Sequence, residues 1–71
     1  MQKGKSKMNS MAQITSKELS ALSDLLTMEQ NLIAKYEMYA AGTQDAALKD
    51  RYQQIANEHQ RHYDALYANL K

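Results

Sequence analysis

The chain has 71 residues, a formal net charge of +1, and neither cysteine nor proline. This length allows one small domain, which usually needs a metal, a cross-link or a partner chain for stability. The lack of cysteine excludes disulfides and thiolate metal sites, and the near-neutral charge gives no reason to expect a nucleic acid or an acidic membrane as partner.

Residues 1–14 differ in composition from the rest of the chain. They include Lys3, Lys5 and Lys7 and no acidic residue, with small polar residues between them. We predict a disordered basic tail. The segment lacks the continuous apolar core of a signal peptide, and no stretch of the sequence is apolar enough to cross a bilayer, so we expect neither a signal peptide nor a transmembrane segment.

The first predicted helix covers about residues 17–41. Thr15 and Glu18 have the spacing of a capping box, which marks a helix start. Apolar residues then recur every three or four positions, as on one face of an amphipathic helix: Leu19, Leu22, Leu25, Leu26, Leu32, Ile33, Tyr36, Tyr39 and Ala40. At about 100° per residue, Glu29 falls near the centre of this stripe. A glutamate buried there must be protonated, paired or bound to a metal.

The second predicted helix covers about residues 45–70. Gly42 is expected to end the first helix in the left-handed conformation, and Thr43 or Asp45 to cap the second. The second stripe contains mostly apolar residues and two histidines: Leu48, Tyr52, Ile55, Ala56, His59, His62, Tyr63, Leu66 and Leu70. We therefore predict an all-α fold, an antiparallel two-helix hairpin over residues 15–71.

The length of the turn predicts which residues of the two helices are level with each other. A hinge near residue 44 pairs positions whose numbers sum to about 88, so Glu29 is level with His59 and Tyr36 with Tyr52. His62 follows one turn after His59. Both stripes are about 120° wide, which is typical of helices that contact two neighbours in a bundle. We therefore expect a homodimer in which two hairpins form one four-helix bundle.

Glu29, His59 and His62 are the candidate site residues, and two interpretations are open. They could bind one transition metal ion such as zinc, iron or manganese, because two imidazoles and a carboxylate are ligands that these metals accept. Alternatively, they form a structural polar layer in which the Glu29–His59 pair specifies helix register. No nucleophile motif or phosphate-binding loop is present, so we do not expect an enzyme.

The sequence LLTMEQNL at residues 25–32 and the sequence IANEHQRHY at residues 55–63 resemble spore coat protein F-like proteins. The similarity covers about residues 19–70. That family is regarded as ferritin-like, so the resemblance implies half of a four-helix bundle that dimerises. It also implies a non-catalytic structural role in the spore coat or mother-cell cytoplasm of a spore-forming bacterium, with other coat proteins as partners.

The ferritin-like resemblance also has a consequence for the site. Di-iron members of that superfamily carry a glutamate on one helix and Glu-x-x-His on the next. Glu29 matches the first glutamate and His62 the histidine, but His59 stands where the second motif has its glutamate. The resemblance therefore implies a mononuclear site better than a di-iron oxidase centre, as the alternative to a purely structural role.

Overall fold

The computed structural model describes residues 14–70, which form two helices joined by a short turn. Helix α1 is Ser16–Gly42 and helix α2 is Ala46–Ala68, and they pack along each other as an antiparallel hairpin. The prediction of an all-α hairpin is confirmed for this part of the chain. The predicted basic tail lies outside the described residues except for Ile14.

The start of α1 confirms the predicted capping box. Thr15 Oγ1 accepts a hydrogen bond from the Glu18 backbone N–H at 3.0 Å, and Glu18 Oε1 accepts one from the Thr15 N–H at 2.9 Å. These two bonds satisfy backbone donors that the first helical turn leaves without a partner. The helix therefore begins one residue before the predicted boundary.

The predicted role of Gly42 is wrong. Gly42 is the last residue of α1, and no glycine of the described chain has a positive φ. The helix is ended by Thr43, whose extended backbone donates its N–H to the Tyr39 carbonyl at 3.1 Å. Thr43 Oγ1 also accepts the Asp45 N–H at 3.2 Å, so the threonine stabilises the turn without a left-handed residue.

Helix α2 is capped by Asp45, one of the two predicted candidates. Its Oδ1 accepts the Leu48 N–H at 3.0 Å. The helix ends at Ala68, two residues before the predicted end, because Asn69 competes for the last carbonyls. The Asn69 side chain donates to the Ala65 carbonyl at 3.2 Å, and its backbone N–H to the Leu66 carbonyl at 3.1 Å.

The seam between the helices has the predicted register at two levels. His59 lies 2.7 Å from Glu29, and the rings of Tyr36 and Tyr52 have centroids 6.1 Å apart. The seam is thin, however, because Ala40 and Ala56 are the only fully buried residues of the described chain. The other seam residues are half-buried: Leu22, Leu26, Glu29, Ile33, Tyr36, Tyr52, Ile55, His59, Tyr63 and Leu66.

The two broad faces of the hairpin differ in polarity. Gln30, Ala34 and Glu37 line one shallow groove with residues of α2, and Glu37 lines a second groove with Lys49 and Gln53. We call this side the polar face. At about 100° per residue, the opposite flanks of the helices form the other side. We call this side the apolar face: on α1 it carries Leu25, Met28, Leu32 and Tyr39, and on α2 the apolar Leu48 and Ile55 lie beside the exposed Arg51, Glu58 and His62.

Within residues 14–70, neither helix combines the length and the hydropathy that a membrane span requires.

Candidate functional site

The three predicted site residues come together at the middle of the hairpin. Glu29 is the central residue of α1, and His59 and His62 are one turn apart on α2. Oε1 of Glu29 lies 2.7 Å from Nδ1 of His59, and Oε2 lies 3.7 Å from Nδ1 of His62. We call these three residues the donor cluster, since each offers one ligand atom and all three atoms lie within 4.8 Å of one another.

The short contact in the donor cluster is a hydrogen bond. An ionised carboxylate only accepts, so a bond to His59 requires the proton on Nδ1 of the ring. The contact between Glu29 and His62 is too long for a direct hydrogen bond, but it allows attraction when His62 is charged. Without a metal, Glu29 therefore pairs mainly with His59.

Exposure increases across the donor cluster towards the apolar face. The side chain of Glu29 is 12% exposed, that of His59 is 23% exposed, and that of His62 is 62% exposed. His62 lies about 60° from His59 around α2, on the flank that also carries Ile55. The cluster is therefore closed towards the seam and open towards the apolar face.

Aromatic contacts fix the orientation of His59. The Tyr36 ring stacks on it with an interplanar angle of 13° and centroids 6.2 Å apart. The His62 ring meets His59 edge to face, with centroids 5.6 Å apart. With Glu29 at Nδ1, His59 is constrained by three neighbours, which limits its rotamer freedom before any ligand binds.

Tyrosines extend the seam from the donor cluster towards the turn. Tyr36, Tyr39 and Tyr52 form a ring cluster in which the Tyr39 and Tyr52 centroids are 5.4 Å apart. The ammonium group of Lys35 lies 5.9 Å from the Tyr39 ring centroid and 6.0 Å from that of Tyr36, at the outer limit of cation–π attraction. These rings pack the end of the hairpin, on the apolar stripes in which the sequence places them.

The donor cluster fits a transition metal ion after small side-chain shifts. Tetrahedral zinc, with bonds of about 2.0–2.2 Å, places its ligand atoms roughly 3.4 Å apart. The Glu29–His59 pair, at 2.7 Å, would lengthen, and the Glu29–His62 pair, at 3.7 Å, would shorten. A metal would also displace any proton on the two Nδ1 atoms. One chain supplies three ligands, so the fourth tetrahedral position is left for water or for a ligand from another chain.

Sequence reasoning missed two features of this site. The sequence places Tyr36 in the apolar stripe, level with Tyr52, and the structure shows that it also stacks on His59 and orients the ring. Its position seven residues after Glu29, on the same helical stripe, is a signal that could have identified it. The second feature is the polarity of the flanks, because Gln30 and Glu37 lie on one side of Glu29 whereas Leu25 and Leu32 lie on the other.

Comparison of the chain with protein-family models, curated proteins and solved structures gave no match.

Proposed function

We propose that the protein is a non-catalytic structural module that self-associates, with two hairpins completing one four-helix bundle. The observation that carries this proposal is the small core. Within residues 14–70, only two alanines are fully buried, at 3% and 4% exposure. Several large apolar side chains stay exposed on one chain: Leu19, Leu25, Met28, Met38, Tyr39, Leu48 and Tyr67.

The free energy of folding explains why a core this small needs a partner. Ordering the backbone costs roughly 1–2 kcal/mol per residue, and burial of large apolar side chains is the main term that offsets it. A hairpin whose leucines and tyrosines remain half-exposed gains only part of that term. A second copy that covers the exposed side chains would supply the rest, as in an obligate dimer.

The biological setting that we propose rests on the sequence resemblance. The similarity of residues 25–32 and 55–63 to spore coat protein F-like proteins supports a role in the spore coat or mother-cell cytoplasm. Such a module would act by assembling with itself and with other coat proteins. In such an interface, aromatic and aliphatic side chains would supply the buried contact area. The donor cluster would specify the register of the helices.

The concentration dependence of thermal unfolding tests the proposed self-association. If folding and dimerisation are coupled, the melting temperature of helical circular dichroism rises as the chain concentration is increased a hundredfold. A melting temperature that stays constant over this range, with full helicity, would contradict the proposal. Such a result would mean that one hairpin is stable by itself.

The second candidate function is transition-metal binding by the donor cluster. It is favoured by one observation, the convergence of three ligand atoms within 4.8 Å, on side chains that α1 and α2 hold from opposite sides. The ions that suit this donor set are zinc, iron and manganese. The metal would have a binding role, and we propose no redox step.

Metal analysis of the purified chain tests this second candidate. Untagged protein prepared without chelator is expected to contain about one transition ion per chain or per dimer by elemental mass spectrometry. The variant Glu29→Ala/His59→Ala should lose it, whereas the control Glu37→Ala, a carboxylate on the polar face, should retain it. If the purified wild-type protein contains no transition metal and binds none of added zinc, iron or manganese, metal binding is excluded. The donor cluster would then be a structural polar layer.

A further inference from the structure

Two features of the hairpin meet on a single surface. The apolar face carries four of the seven large exposed apolar side chains, namely Leu25, Met28, Tyr39 and Leu48. The donor cluster opens on the same face through His62. The polar face, in contrast, is lined at mid-length by Gln30, Glu37, Gln53 and Gln60. A partner that covers the apolar side chains therefore also covers the donor cluster.

The apolar face is large enough for a stable dimer. Helix α1 has 27 residues and is roughly 40 Å long. Two helices side by side are about 20 Å across, so the face measures on the order of 800 Å². This equals the area that each partner contributes to a protein–protein interface of standard size, about 800 Å². A second copy presents a face of the same dimensions, and the apolar part of each face is carried mainly by α1.

The position of the donor cluster also favours a second copy. Glu29 is at the centre of α1, so a two-fold axis in the interface near that level brings the two clusters opposite each other. Each copy offers three ligand atoms, one fewer than a tetrahedral ion requires. In a single chain the fourth position is left for water, and in the dimer a side chain of the second copy would take it.

From these observations we infer that a second copy docks on the apolar face, and that association and transition-metal binding are one linked equilibrium. This inference rests on the proposed self-association. A metal that binds donors from two copies has a higher affinity for the dimer than for the monomer. By linkage it strengthens the dimer by the same factor. An ion held by one chain alone would have no such effect.

Sedimentation equilibrium of the full chain tests this linkage, with zinc ion alone as the probe and a chelator as the reference. Zinc is expected to lower the dimer dissociation constant about tenfold or more. His62→Ala should remove the effect of zinc, so that this variant has the same dissociation constant in zinc and in chelator, because the ion loses one of its ligands. The comparison is made within the variant, since His62 lies on the proposed interface and its removal can change association by itself. Leu25→Glu should weaken association in both conditions.

A matched control carries the same new charge on the other face. Gln53→Glu places a carboxylate on an exposed position of the polar face and should associate like wild type, with and without zinc. Circular dichroism of each variant reports whether helices are retained. Leu25→Glu dimerising as tightly as wild type would overturn the choice of face.

Two further outcomes separate this inference from the proposed function. If the wild-type protein dimerises with the same dissociation constant in zinc and in chelator, the linkage is overturned and self-association is not. A chain that is helical and monomeric at every concentration, with and without zinc, would overturn self-association and the inference together.

Discussion

Glu29 is the residue on which the local chemistry depends. It lies on the seam at 12% exposure, 2.7 Å from His59 and 3.7 Å from His62. Removing only the carboxylate leaves the half-buried His59 ring without its acceptor, and a buried polar group without a partner costs free energy. Replacing both members of the short pair by leucine removes that cost and adds apolar contact across the seam.

A comparison of one single and one double leucine variant tests this argument. In chelator and at one protein concentration, Glu29→Leu should lower the free energy of unfolding by roughly 1–2 kcal/mol. Glu29→Leu/His59→Leu should return the free energy of unfolding to the wild-type value or above, since replacing both members of a buried polar pair by apolar residues often leaves stability unchanged or raises it. Urea unfolding followed by circular dichroism measures both.

The control for this comparison is Glu37→Leu, which replaces a glutamate on the exposed polar face. It should change the free energy of unfolding by no more than about 0.5 kcal/mol. If the double variant is as unstable as Glu29→Leu, the Glu29–His59 pair stabilises the protein more than two leucines at the same positions do, which would contradict the argument.

The helices are delimited by side-chain bonds to the backbone at their ends. Backbone groups near the helix termini are satisfied by the capping box of Thr15 and Glu18, by Thr43 and by Asp45. Asn69 does so at the end of α2. Gly42 makes no such contribution. A Cβ on it would meet nothing within 4 Å, so its flexibility only destabilises the last turn of α1.

Gly42→Ala should therefore stabilise the protein by about 0.5–1 kcal/mol, because alanine reduces the conformational freedom of the unfolded chain and fits the helical backbone. The matched control is Ala41→Gly, the reverse change at the neighbouring exposed helical position, which should destabilise by a similar amount. Chemical unfolding of both variants measures the difference. Loss of stability in Gly42→Ala would indicate a left-handed Gly42 and contradict the described turn.

Asp45→Ala should lower the free energy of unfolding by about 1 kcal/mol, because the Leu48 N–H loses its acceptor at the start of α2. Thr27→Ala provides the comparison. The Thr27 hydroxyl donates to the Ser23 carbonyl in the middle of an exposed helix face, so its removal should be neutral or slightly stabilising. Equal effects of the two variants would show that Asp45 does not act as a cap.

Several of these elements could be predicted from the sequence because their causes are local or periodic. The spacing of Thr15 and Glu18 predicts a helix start, and the hinge position predicts Glu29 level with His59. The conformation of Gly42 could not be predicted, since α1 is ended by the backbone N–H of Thr43, which donates to the Tyr39 carbonyl. The early end of α2 depends in the same way on the hydrogen bonds of Asn69.

At the scale of the whole molecule, the hairpin leaves much of its apolar surface exposed. Its seam buries only Ala40 and Ala56 fully, and its apolar face leaves Leu25, Met28 and Tyr39 exposed. The stripe widths predicted from the sequence agree with this, because they exceed what one neighbouring helix covers. Periodicity gives the flank of α2 that carries His62, but the 62% exposure of its side chain depends on how the two helices pack.

The most direct test of the central claim is the molar mass of the full chain in solution by sedimentation equilibrium over a wide concentration range. Self-association through the apolar face predicts a mass that approaches twice the 8.1 kDa of one chain while the helices are formed. A mass that stays at 8.1 kDa, with full helicity at every concentration, would contradict the account.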